Sequence, residues 1–122
     1  MKKLVFLFAV TISTTVLADD CDNPRDDFDG LYCLNKVYQE ADRELNARYQ
    51  ELRGFLNSSE KSALKRTQLA WIDTRNSQCS FRRDGSFFVS LNCTTEMTVD
   101  RTNALEDRIR ECRATGCQPS KL

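Results

Sequence analysis

"QLAWIDTRNSQC", residues 68 to 79, decides the fold. Gln68, Trp71, Arg75 and Cys79 recur at steps of three and four residues, which is the period of an α-helix. One stripe of that helix therefore carries an amide, the only tryptophan of the chain, a guanidinium and a cysteine. Backwards, the stripe continues through Leu64. Ser58 or Ser59 is placed to cap it, with Glu60 in the first turn. Forwards, it runs to about Arg82, and Arg83-Asp84-Gly85 makes the next turn.

The same period appears on both sides. Leu31, Leu34, Tyr38, Ala41, Leu45, Tyr49, Leu52 and Leu56 form a first helical stripe, broken by Asn57-Ser58-Ser59. Asn23-Pro24 with Asp26 is one start signal for it; Asp29-Gly30 argues for a later start. Met97, Arg101, Leu105, Ile109 and Cys112 form a third stripe, and Gly116 suits a left-handed cap at its end. Phe87, Phe88 and Val89 have strand character but no evident partner, so they read as a loop or as the entry to the third helix. The expectation is an all-α fold: a small antiparallel three-helix bundle over about 31–56, 60–82 and 90–114, stapled by disulfides.

Residues 1–18 stand apart. Lys2 and Lys3 precede an apolar run from Leu4 to Leu17, and Val16-Leu17-Ala18 has the small side chains of a cleavage site. This is the pattern of a secretory signal peptide, and it is shorter than the roughly 20 residues of a membrane span. Cleavage after Ala18 leaves residues 19–122 as one domain, with no membrane anchor and a location in the periplasm or outside the cell. All six cysteines survive: Cys21, Cys33, Cys79, Cys93, Cys112 and Cys117. An even count in a small exported chain reads as three disulfides. Cys112 and Cys117, on either side of Gly116, should pair. For the rest, the helix register favours Cys33–Cys79 with Cys21–Cys93; Cys21–Cys33 with Cys79–Cys93 is the alternative.

Several function classes are excluded by what the chain carries. The mature part holds 16 Lys+Arg against 18 Asp+Glu, a balance that offers nucleic acid no basic field. There is no histidine, so the usual Ser-His or Cys-His pairing of a nucleophilic enzyme is missing. No C-x-x-C pair or Gly-rich phosphate loop is present. The chain reads as a non-enzymatic binding protein without metal or cofactor.

Taken in order, the residues resemble a known family. Cys21 and Cys33 precede Ala41-Asp42-x-x-Leu45-Asn46-x-x-Tyr49-x-x-Leu52. Leu64-x-x-x-Gln68-x-Ala70-Trp71-x-x-x-Arg75-x-x-x-Cys79 follows, then Cys93 and Thr98-x-x-Arg101-x-x-x-Leu105. This is similar to the LprI-like family of exported bacterial proteins, named for a lysozyme inhibitor. Thr67 stands where the family usually has alanine, and Cys112 and Cys117 add to its usual four cysteines. The resemblance implies a protein partner, lysozyme, blocked by occlusion of its substrate cleft. The alternative is a small structural or envelope-stress protein with a different ligand.

The polar residues of the stripes have a place in this scheme. If the first two helices turn near Asn57, Asp42 lies almost level with Arg75, and Arg101 of the third helix lies level with Gln68. Asp42, Asn46, Gln68, Trp71, Arg75 and Arg101 then form an internal network that fixes helix register rather than a ligand site, with Trp71 largely buried. Six aspartates among the first eleven mature residues read as a solvated arm that favours a helix N-terminus. Arg82 and Arg83 beside Phe87 and Phe88 have the composition of an interface centre. They are the candidate partner-binding residues; core-capping phenylalanines with solvated arginines are the competing reading.

Overall fold

The computed structural model describes residues 21–122; the expected signal peptide, residues 1–18, and Asp19 and Asp20 lie outside the described residues. In chain order the elements are α1 (Asp27–Arg53), α2 (Ser58–Gln78), β1 (Ser80–Arg83), β2 (Ser86–Val89), α3 (Leu91–Thr115) and a short 3-10 turn at Pro119–Lys121. There are three long helices, and a two-stranded antiparallel sheet joins α2 to α3, so the expected all-α class needs that correction.

Each helix begins at a side-chain cap. Asp26 accepts the Asp29 N–H at 2.8 Å, so α1 starts before the Asp-Gly pair, which it absorbs. At α2 the cap is Asn57, not a serine: its Oδ1 accepts the Glu60 N–H at 2.9 Å while Glu60 Oε2 accepts the Asn57 N–H at 2.8 Å. This reciprocal pair satisfies two donors that the helix itself leaves open. Asn57→Ala is therefore expected to cost about 1 kcal/mol, measured by urea unfolding. Ser90 caps α3 by accepting the Cys93 N–H at 3.3 Å.

α1 and α3 run in the same direction: Val37 shares a groove with Thr95, and Arg113 pairs with Glu51 near the far ends. Between them α3 presents a seam of buried threonines, Thr94, Thr98 and Thr102. Each hydroxyl donates to the carbonyl four residues back, at 3.1, 2.6 and 2.9 Å. With the hydroxyl satisfied inside its own helix, the threonine meets α1 as a small apolar residue. In the first half of α3 the buried residues Thr98 and Thr102 thus sit one position on from the expected Met97 and Arg101, while Leu105 and Ile109 are buried as expected. The apolar core, Leu45, Leu52, Leu56, Leu64, Leu105 and Ile109, sits toward the α1–α2 connection. Cys112 and Cys117 are bonded across Gly116, whose φ is +93°, and pack with Leu122 against that core.

The other two disulfides are Cys21–Cys33 and Cys79–Cys93. The favoured pairing, Cys33–Cys79 with Cys21–Cys93, is overturned. The cause is the hairpin. It returns the chain to its starting point, where the Ser90 N–H donates to the Cys79 carbonyl at 2.8 Å. Cys93, one turn into α3, then stands beside Cys79 with Cα atoms 5.4 Å apart.

Candidate protein-binding surface

The network around Arg75 is assembled by all three helices. Its Nη1 lies 3.8 Å from Asp42 Oδ1 on α1 and donates to Thr98 Oγ1 on α3 at 3.3 Å. The guanidinium carbon is 5.1 Å from the Trp71 ring and 5.7 Å from the Tyr38 ring. Asn46 donates to the Asp42 carbonyl at 2.9 Å and to its carboxylate at 3.3 Å. Arg101 is separate from this group: its Nε donates to Gln68 Oε1 at 2.9 Å. Burial lowers the Arg101 pKa from its ordinary value, though a guanidinium stays charged at any physiological pH. Trp71 is partly buried, packed against the edge of the core. Tyr38 and Thr98 were not expected here. Tyr38 was legible as a member of the α1 stripe, four residues before Asp42.

This cluster spends its polar groups on one another, and its cation is only 10% exposed. It offers little to a ligand. A different region does.

β1 and β2 pair Ser80 with Val89, Phe81 with Phe88, Arg82 with Phe87 and Arg83 with Ser86. Residues opposite each other share a face, and the faces alternate along a strand. One face thus carries Phe81, Phe88 and Arg83; the other carries Arg82, Phe87 and Val89. The Phe81 and Phe88 rings stack at 5.1 Å. Arg83 lies over Phe81 and Arg82 over Phe87, each at 5.5 Å. The tip is Asp84-Gly85 with φ of +49° and +79°, the hand of turn that matches strand twist. An Asp-Gly pair flanked by "SFRR" and "SFFV" is a strong hairpin signal, and it was present in the sequence.

The hairpin is solvent-exposed along its whole length beyond Ser80. It projects from the end of the molecule where α1 and α3 begin, since Phe28, Leu31 and Tyr32 line a shared hollow with Leu91. Of the twelve exposed large apolar side chains among the described residues, nine lie in Phe28–Val37 or the hairpin. The buried core lies at the opposite end. So large an apolar concentration at one pole makes it the candidate interaction surface, where scattered exposed residues would need no explanation. Two acidic residues of this pole serve α1: Asp26 caps it, and Asp29 takes a 2.7 Å hydrogen bond from Arg25 Nε, which holds the Asp29 carboxyl below its ordinary pKa.

Among the described residues, no helix is long and apolar enough to cross a membrane, and no group of three His, Cys, Asp or Glu is placed to hold a metal ion. A sequence profile of the family described as lysozyme inhibitor LprI matches residues 21–105, a span that includes the whole hairpin and both disulfides of its pole. An uncharacterized protein of Rhizobium meliloti (strain 1021) is 30% identical, over 72% of this chain and 77% of its own. No solved structure matches the chain.

Proposed function

The chain belongs to the family of lysozyme inhibitor LprI, and on that premise we propose that it inhibits lysozyme by seating the β1–β2 hairpin in the substrate cleft. The observation that carries this reading is the hairpin itself: exposed, narrow, and bearing an arginine over a phenylalanine on each face. A glycosidase flanks its scissile bond with two carboxyl groups. The planar guanidinium fork of Arg82 or Arg83 matches such a carboxylate, and the phenylalanines supply apolar contact around it. Inhibition is then occupancy of the cleft, with no bond made or broken by the inhibitor.

The rest of the reading follows the same chemistry. Three disulfides within the described residues call for an oxidising compartment. Cleavage after Ala18 and delivery to the periplasm or beyond would supply it. The three helices act as the rigid bundle that presents the hairpin, and the Asp42–Arg75 network holds that bundle in register.

The test is lysozyme-driven clearing of bacterial cell walls. Purified protein should slow it at near-stoichiometric amounts. Arg82→Glu with Arg83→Glu should weaken inhibition by about 100-fold or more, because like charges would meet in the cleft. The same variant should lose no more than about 1 kcal/mol of stability, since both side chains are exposed. No slowing with several lysozyme types would leave a binding protein with another ligand. Full inhibition by the double variant would move the contact away from the hairpin.

A further inference from the structure

The flanks of α1 and α3 that face away from α2 are uncovered. Asp42 and Arg101 reach α2 from one side of this helix pair. On the other side a groove of about 460 Å³ runs between α1 and α3. Its floor is Val37, Ala41, Val99 and Thr102, and its rim carries Glu40, Glu44 and Glu106. Val37 and Thr95 also line an adjoining hollow of about 380 Å³ that reaches Gly30 and Cys33. Along α1, Gly30 to Glu44 is about 21 Å, or four helical turns. Gly30, Ala41, Thr95 and Thr102 keep the floor small, and the Thr102 hydroxyl is already spent on the Thr98 carbonyl. A further helix could therefore approach closely along that length.

The rim decides which helix. Its three carboxylates pair with Arg43, Arg48 and Arg110 on their own helices, and none of these arginines lines the groove. Such exposed pairs are weak and leave a carboxylate able to take a second cation. A second copy of this chain docking through the same face would set glutamates against glutamates, because a two-fold interface repeats one patch.

We propose that this groove docks an amphipathic helix of a partner protein, apolar along one stripe and bearing Lys or Arg beside it. The site is separate from the hairpin, so the two can be tested independently.

The probe is a fluorescent helix-forming peptide of about 15 residues, with leucines at helical spacing and flanking lysines; its control carries glutamate for lysine. Titration of the full mature chain should show the lysine peptide binding at least about tenfold more tightly than the glutamate peptide. Glu40→Gln, Glu44→Gln and Glu106→Gln together should weaken the lysine peptide about tenfold and flatten its salt dependence. Val99→Arg, at an exposed position, should abolish binding while the melting curve holds. Arg82→Glu with Arg83→Glu should leave peptide binding unchanged. Equal binding of the two peptides, no binding of the lysine peptide, or binding that survives Val99→Arg would overturn the proposal. So would a dimer that Val99→Arg dissociates, which would assign the groove to a second copy.

Discussion

A Cys79→Ala/Cys93→Ala protein should lose about 3 kcal/mol of folding stability, the chain entropy released by opening a loop of this length. For a domain of this size that lowers the midpoint of thermal unfolding by more than about 10 °C. The two cysteines are 14 positions apart in sequence, and the segment they close contains the whole hairpin. A two-stranded hairpin has little stability of its own in water. Here its covalent base is that disulfide, beside the buried Cys79. Inhibition should therefore fall further in this variant than its stability explains, measured at a temperature where it remains folded. Cys112→Ala/Cys117→Ala is the comparison. That bond closes only five residues, so about 2 kcal/mol should be lost. It lies at the core end, and inhibition per folded molecule should not change. Equal loss of inhibition in both pairs would show that the hairpin is not the contact.

Arg75→Ala should be the most damaging change in the polar network, at roughly 2–4 kcal/mol in urea unfolding. It removes a long buried side chain from between Trp71 and Tyr38 and leaves a cavity at the junction of three helices. Asp42→Ala should cost less, about 1 kcal/mol. The side chain of Asp42 is 42% exposed and its carboxylate stands 3.8 Å from the guanidinium, so solvent screens the pair. Without Asp42, Arg75 still donates to Thr98 and Asn76 and keeps both aromatic contacts. A buried ion pair would have stranded its arginine at a cost of about 3–5 kcal/mol; the exposure of Asp42 removes most of that penalty. If instead Asp42→Ala melts like the parent protein yet no longer inhibits lysozyme, the network is part of the binding site.

The stripe from Gln68 to Cys79 was legible because its members sit at helical spacing and one of them is a large apolar ring. The register of α2 against its neighbours was legible for the same reason: helix rise is constant, so Arg101 opposite Gln68 and Asp42 close to Arg75 follow from where the turns fall. The hairpin is hidden by its first strand: Phe87, Phe88 and Val89 look like a strand without a partner because Phe81 and Arg82 continue the end of the α2 stripe and Arg83 opens the turn at Asp84-Gly85. Arg82 and Arg83 beside Phe87 and Phe88 were singled out by composition, but the arrangement of one arginine over one ring per face needs the pairing register. The threonine seam was hidden by chemistry: a hydroxyl looks polar in a one-letter sequence until its own helix takes the hydrogen bond.

Two of the three disulfides, Cys21–Cys33 and Cys79–Cys93, hold the pole that contains no buried leucine, while the leucine core holds the other. A covalent tie restricts the unfolded chain whichever side chains lie between its ends. A packed core depends on the volume of every member. Apart from the helix caps Asp26 and Ser90 and the Asp84-Gly85 turn, residues 22–32 and 80–92 are thus released from the constraint that binds Leu52 or Leu105. Their chemistry can be exchanged, one surface for another, on a scaffold whose folding does not register the change. A library randomised at 81–83 and 86–88, with the Asp84-Gly85 turn kept, should return mostly folded proteins, and the same effort spent on the core leucines should not.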